Sequence, residues 1–431
     1  MLDIKLIREN PDIVRKDLKK RGDSEKLSWL EELIEKDKQW RGLTAETDKL
    51  KADRNKLSEE IGKIKKSGKD ASALLKQAAE IPEKIKENDR KISELTERTN
   101  WILMCLPNIL HESVPVGKDD YENVELRKWG KIPKFKFAPK DHQDLLLPLG
   151  LLDVERAAKT SGSRFYFLRG DLVRLNYALM NYALDFLKKK SFTAVQPPYM
   201  INRKSYEGVV DFSDFESVIY KIEGEDLHLI ATSEHPLVSM RAGETFLKKD
   251  LPEFFAGISP CFRKEAGAHG KDTKGIFRVH QFDKVEQICF CSPEQSWKLH
   301  EQLIKNAEEF FKTLEIPFRV VNICTGDIGT IAAKKYDLEG WFPAQEKYRE
   351  LVSCSNTTDY QARRMGIKFR EKEGAAPAGF VHILNSTLVA TGRTLACIAE
   401  NYQRPDGTIE VPKVLQKYMN RQKIIGKGKI S

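Results

Sequence analysis

The sequence predicts an α+β protein: a long antiparallel helical hairpin at the N-terminus, then a domain built on a mostly antiparallel sheet flanked by helices. Three observations carry this reading. The first hundred residues place apolar side chains at seven-residue steps amid dense charge. The remainder mixes short alternating stretches with long amphipathic ones, without the strand–helix–strand rhythm of a doubly wound sheet. Neither GxGxxG nor GxxxxGK[ST] occurs, so the two common phosphate-cradling turns are missing. A length of 431 residues accommodates two or three domains, and the change in character places a boundary near 110, giving units 1–110 and 111–431.

The hairpin follows from local signals taken in order. Asn10-Pro11-Asp12 reads as a helix start, with a capping side chain, a proline at the first helical position and an acid at the positive dipole end. Trp40, Thr47, Arg54 and Ile61 form one row, and Leu43, Leu50, Leu57 and Ile64 the other. A basic break from Lys63 to Lys69 contains Gly68, after which Asp70 is placed to cap a second helix. There Leu74, Ile81, Asn88, Leu95 and Ile102 keep the heptad step, with Ala78, Ile85, Ile92 and Thr99 on the partner row. Arms of about 35 residues would reach on the order of 50 Å. Pro82 removes a backbone donor inside the second arm and is expected to kink it. Such a hairpin suits a dimerisation rod, or a basic-tipped arm along a nucleic-acid backbone.

Residues 106 to about 140 are rich in proline and read as a connector. Strands are expected at 165–168, 218–222, 285–290 and 317–323, and helices at 171–190 and 294–315. The basic tail from Lys413 reads as solvated chain. Lys plus Arg is 73 against 64 Asp plus Glu, and the formal charge of +9 favours polyanionic partners. With 40% hydrophobic and 32% charged residues, the composition argues against a membrane protein, a collagen or a disordered chain. The charged N-terminus is no signal peptide, and the longest apolar run, Leu145 to Leu152, is too short for a bilayer. Seven cysteines without a CxxC pair read as reduced thiols of a cytoplasmic protein, with no zinc expected.

Three stretches depart from ordinary core. The first is Thr232-Ser233-Glu234-His235-Pro236. The second runs from Phe262-Arg263-Lys264-Glu265 through a Gly-rich loop to Arg278-Val279, Phe282 and Glu286. In an unbulged strand Arg278, Phe282 and Glu286 share one face, and an Arg, an aromatic plate and a carboxylate suit a phosphate, a base and an amine. The third is Glu350-Leu351-Val352-Ser353 with the later Asn385, Thr387, Gly392 and Arg393. Taken singly, each has a plainer reading: a surface ion pair, a hairpin turn, a packing histidine for His235, His269 and His280. Their fixed order shifts the balance.

Phe-Arg-x-Glu, a Gly-rich loop, Arg-x-x-x-Phe-x-x-x-Glu and a Gly-Arg that opens a helical run together resemble the motifs of class II aminoacyl-tRNA synthetases. LDFLKKKSFTAVQPPYM is similar to the motif of the dimer interface, with Pro197 or Pro198 as its proline. Within that class IRENPDIVRKDLKKRG, the heptad hairpin, TSE, FRKEAGAHGKDTKGIFRVHQF, ELVSCSNTTDYQARR and LNSTLVATGRTLACIAENYQ resemble seryl-tRNA synthetases over essentially the whole chain. The Asn-Ser-Thr form of the last motif looks archaeal or eukaryotic rather than bacterial.

The resemblance implies a class II antiparallel sheet core, a homodimer, and two reactions. Serine and ATP give seryl-adenylate, and the seryl group then moves to tRNA(Ser), or to tRNA(Sec) where the organism has selenocysteine. It implies serine contacts from Thr232, Ser233, Glu234, Arg263, Glu286, Asn385 and Thr387, and ATP contacts from Arg263, Lys264, Glu265, Arg278, Val279, Phe282, Glu350, Leu351, Val352, Ser353 and Arg393. Arg263, Glu350 and Arg393 would be the catalytic residues; Glu350 and Ser353 would hold Mg²⁺, a hard ion suited to oxygen ligands. The hairpin would grip the variable arm of tRNA(Ser). Two other readings stand beside this one. A ligase that charges a carrier protein would be expected to lack the hairpin. A retired, non-catalytic RNA-binding or coiled-coil scaffold would be expected to lose the arginines and Glu350, all of which are present.

Overall fold

Pro11 opens a helix near the N-terminus, where its fixed φ suits the first helical position. A computed structural model describes residues 1–210, 215–265 and 274–426. Most of the Gly-rich loop (266–273), including His269, and the last five residues of the tail lie outside the described residues. The chain divides into two compact units, Met1–Ile109 and Leu110–Ser431.

The first unit comprises α1 (Ile4–Glu9), α2 (Pro11–Arg21), α3 (Ser24–Lys66) and α4 (Ser72–Cys105). Asn10 precedes α2 with Pro11 at its first position, although the Asn10 side chain makes no capping bond. The 43-residue α3 and 34-residue α4 form the hairpin, and α4 continues unbroken through Pro82. Asp70 accepts the Ser72 N–H at 2.9 Å and so caps the start of α4. Every seam position expected in the second arm is buried or half-buried; in the first arm Arg54 turns outward. Polar ties join the arms: Trp40 Nε1 donates to Thr96 Oγ1 at 3.0 Å, and Arg98 pairs in a fork with Glu32 at 2.7 and 2.8 Å. Thr47 and Asn88 are buried in the seam, where Thr47 Oγ1 and Asn88 Nδ2 have no hydrogen-bond partner. Near the root Asp37 is buried, which opposes its ionisation, yet Arg8 at 2.6 Å and Arg41 at 3.0 Å hold its carboxyl below the usual range.

The second unit is built on an eight-stranded sheet of β1 (Val124–Trp129), β2 (Thr193–Val195), β3 (Glu253–Phe262), β4 (Gln281–Cys291), β5 (Phe318–Asn322), β6 (Lys334–Phe342), β7 (Lys347–Asn356) and β8 (His382–Ala390). The spatial order is β1-β5-β6-β7-β8-β4-β3-β2, antiparallel throughout except for β2 beside β3. Helices α5 (His142–Leu146), α6 (Asp171–Lys188), α7 (Glu234–Ser239), α8 (Ser296–Thr313) and α9 (Thr391–Asn401) complete the frame. The main core lies between the sheet and α6, α8 and α9, where Leu179, Phe310 and Ile398 meet Val285, Cys289, Val352 and Leu384. All seven cysteines are buried free thiols. No helix among the described residues is long and apolar enough to cross a membrane.

Three expectations need correction. Residues 106–140 are not merely a connector, because they contain β1, an edge strand whose side chains are almost all exposed. Residues 218–222 form no strand, and Lys221 makes only an isolated bridge with His228. The tail from Lys413 is ordered through 426: a 3₁₀ turn over Lys413–Met419 buries Leu415 and Met419, and Ile424–Ile425 pairs with Ile409–Glu410. Lys413, Lys417 and Lys423 point outward while a few apolar side chains anchor the segment.

Candidate active site

The two faces of β4 have different partners, and this places the site. Odd-numbered Val285, Cys289 and Cys291 enter the helix-covered core. Even-numbered Phe282, Lys284 and Glu286 face a cavity of about 480 Å³, and further along the same face Ile288 and Phe290 join a second apolar cluster. Arg278 does not share this strand, which begins at Gln281; it lies in the preceding turn and still reaches the cavity.

Neighbouring strands bring the other groups to the same face. Asn385 and Thr387 come from β8, where Thr387 stands directly opposite Glu286 and donates to its Oε1 at 3.1 Å. Glu350 and Ser353 are three residues apart on β7, which in a regular strand would put them on opposite faces. A bulge at Leu351, between the Val352–Leu338 and Glu350–Glu339 pairs, removes that conflict: both line the cavity while Leu351 and Val352 enter the core. Gly257 on β3 pairs with Glu286; a Cβ there would come within 2.5 Å of Ser233 Oγ, so only glycine lets Thr232-Ser233-Glu234 lie over the sheet.

At one end of the cavity Thr232 Oγ1 donates to Glu286 Oε1 at 3.4 Å and accepts the Glu234 N–H at 3.2 Å. Glu234 opens onto the cavity but is ringed by protein; burial pushes its carboxyl up to about 7 against the opposing pull of the Gln361 amide, which donates to Glu234 Oε1 at 2.8 Å. His235 is buried against Tyr206, and burial holds its imidazole neutral, down to about 3. At the other end the Arg263 guanidinium lies 5.3 Å from the Phe282 ring centre, and Arg393 lies 5.0 Å from that of Phe277. Arg393 also bonds Glu350 at 3.1 Å. The protein around Glu350 opposes ionisation, but Arg393, with Lys335 and Arg263, overrides it and holds the carboxyl down to about 2. Arg278 pairs with Glu265 at 3.4 Å, and its buried Nε has no partner among the described residues.

Of the residues singled out from sequence, the cavity gathers Thr232, Glu234, Arg263, Glu265, Arg278, Val279, Phe282, Glu286, Glu350, Leu351, Ser353, Asn385, Thr387 and Arg393. Ser233, Lys264 and Val352 do not line it; Ser233 and Val352 are fully buried, and the Lys264 N–H is bonded to the Val218 carbonyl. Sequence reasoning missed Lys284, Gln361, Phe277 and His142. Lys284 could have been found from strand parity alone. His142 is buried with Glu400: its Nδ1 meets Glu400 Oε1 at 3.1 Å, and its Nε2 accepts the Ile276 N–H at 3.3 Å, securing the chain where it returns to β4. No sequence signal joins those residues.

The donor set around Glu350 suits a hard cation. Ser353 supplies a hydroxyl, and Asp337, paired with Ser353 across β6 and β7, has a buried Oδ1 without a partner. Among the described residues no cluster of three or more His, Cys, Asp or Glu forms a complete metal cage.

Comparisons with known proteins show the family. Residues 1–110 match the seryl-tRNA synthetase N-terminal domain, and residues 217–402 match the tRNA synthetase class II core domain (G, H, P, S and T). The serine–tRNA ligase of Methanocella arvoryzae is 55% identical over 420 residues, covering 97% of this chain and 99% of the relative. The crystal structure of seryl-tRNA synthetase from Pyrococcus horikoshii, complexed with ATP, superposes with a TM-score of 0.95 at 51% identity, covering 100% of both chains. The cytoplasmic serine–tRNA ligase of Naegleria fowleri, in complex with AMP, gives 0.89 at 38% identity over 99% of each chain. With a matching domain in each half and relatives aligned from end to end, this chain belongs to the seryl-tRNA synthetase family of class II synthetases.

Proposed function

We propose that this protein activates L-serine with ATP and transfers the seryl group to tRNA(Ser), and to tRNA(Sec) where that tRNA is present. The observation that carries the reading is one continuous cavity with polar acceptors for an amino acid at one end and paired arginine–aromatic contacts for a nucleotide at the other.

In the first step a serine carboxylate oxygen attacks the α-phosphorus as the bond to pyrophosphate breaks. Arg263 holds the serine carboxylate and the α-phosphate in a fork, placing nucleophile and electrophile in line. Phe282 offers the adenine a stacking face, Glu265 meets the base edge, and Arg278 and Arg393 neutralise the outer phosphates. Glu350 and Ser353 would hold Mg²⁺, which would supply further charge neutralisation at the phosphates. Glu234 and Thr232 take the serine ammonium, Glu286 takes its hydroxyl, and Asn385 with Thr387 closes the pocket. In the second step the terminal adenosine hydroxyl of the tRNA attacks the seryl carbonyl and AMP departs.

A site built to bond a hydroxyl leaves buried polar groups unpaired when alanine enters, so alanine is rejected by ~10⁴-fold. Threonine keeps the hydroxyl and is excluded by its methyl. The N-terminal hairpin grips the long variable arm of tRNA(Ser), reading shape and backbone. The protein acts as a cytoplasmic homodimer through the stretch around Pro197 and Pro198, beside the edge strand β2, where Met200 is exposed.

Two assays test the reading. Pyrophosphate exchange should depend on serine, and charging should require tRNA(Ser) with its variable arm. Exchange supported equally by another amino acid would refute the substrate assignment; charging of a tRNA without that arm at full rate would refute the role of the hairpin.

A further inference from the structure

We propose that Lys284 is a specificity-determining residue, which makes the side-chain end of the serine site accept a neutral hydroxyl and reject an ammonium group in its place. The inference rests on the serine assignment above and extends it to a residue outside the expected contact set.

Lys284 and Glu286 are two residues apart on β4 and therefore share its cavity face; they are 6% and 2% exposed. Lys284 Nζ forms an ion pair with Glu286 Oε1, which also accepts the Thr387 hydroxyl at 3.1 Å and the Thr232 hydroxyl at 3.4 Å. Three donors thus converge on one oxygen. Among the described residues no protein donor reaches Oε2, which leaves it as the acceptor for a ligand.

The charge arrangement decides what that ligand is. Glu234 and Glu286 are two carboxylates around a substrate that carries one ammonium group. Alone, Glu286 would be a buried anion and would draw a second cation into the pocket. Lys284 already cancels its charge. A hydroxyl can donate to Oε2 without bringing charge, whereas an ammonium at that position finds no net anion and meets the Lys284 ammonium as a like charge.

The discriminating ligand is L-2,3-diaminopropionate, which is serine with an amine in place of its hydroxyl. Amino-acid-dependent pyrophosphate exchange would be measured with both compounds on the full-length wild type, Lys284→Met, Lys284→Gln and Lys284→Arg. Removing the cation should raise the diaminopropionate-to-serine ratio of kcat/KM by about 100-fold, as expected for relieving a like-charge juxtaposition, mainly through KM. Lys284→Arg should keep the wild-type ratio. Lys284→Gln retains a donor to Glu286 and serves where Lys284→Met does not fold, as judged by thermal denaturation. An unchanged ratio in a folded Met or Gln variant overturns the proposal while leaving serine activation intact. Loss of serine-dependent exchange in the wild type itself would overturn both readings.

Discussion

Acidification should weaken serine capture in the manner of a single carboxyl. Burial sets Glu234 at about 7, with Gln361, Lys284 and Arg263 pulling it down and Glu286 pushing it up. In the proposed mechanism only the ionised form receives the serine ammonium, so apparent affinity scales with the ionised fraction. That fraction is about 0.91 at pH 8 and about 0.09 at pH 6, which predicts a roughly tenfold fall in kcat/KM for serine between them. The sign follows from linkage: a bound cation favours the carboxylate, so serine expels the proton, about half a proton per serine at pH 7. The assay is serine-dependent pyrophosphate exchange across pH 6–8 at saturating ATP, paired with calorimetry of serine binding in two buffers of different ionisation enthalpy. Gln361→Leu removes the donor at 2.8 Å and should move the midpoint upward, whereas Glu234→Gln should flatten the profile at much reduced activity. A flat wild-type profile together with a buffer-independent binding enthalpy would refute the assignment of Glu234 to the ammonium.

Other perturbations separate the parts of the molecule. Glu286→Ala should abolish serine activation; near-normal exchange in that variant would show that the hydroxyl is bound elsewhere. Deleting residues 35–100 should leave adenylate formation nearly intact and eliminate tRNA charging, and charging that survives the deletion would make the hairpin purely structural. Gly257→Ala forces a methyl against Ser233 Oγ and Leu237 and should cost about 1–3 kcal/mol by thermal denaturation, with a raised KM for serine. An unaltered melting temperature and KM would mean that the segment over Gly257 yields freely.

How far the sequence foretold this structure differed by element. The hairpin was legible because its seven-residue period continues through both arms and is interrupted by a turn with its own cap at Asp70. β1 was not, since its alternation is only Val124 and Leu126, two apolar residues among charges in a proline-rich stretch. Order in the C-terminal segment was hidden for the converse reason: two or three anchoring side chains among many lysines decide it. At the cavity, the spacing of Phe282 and Glu286 on one strand face was readable, and the same parity already included Lys284, which beside a glutamate looks like an ordinary surface pair. The shared orientation of Glu350 and Ser353 was unreadable, because strand parity separates them and only the bulge at Leu351 reunites them. Gln361 approaches Glu234 from a remote part of the chain, and nothing local announces that meeting.

The bonds that tie the two arms have a consequence for the arm's reach. Trp40 donates to Thr96, and Arg98 pairs with Glu32, each across the hairpin. A slide of one heptad would break both and carry the tip about 10 Å along the axis. These ties therefore act as a graduation mark on a measuring rod: while they hold, the distance from root to tip has a single value.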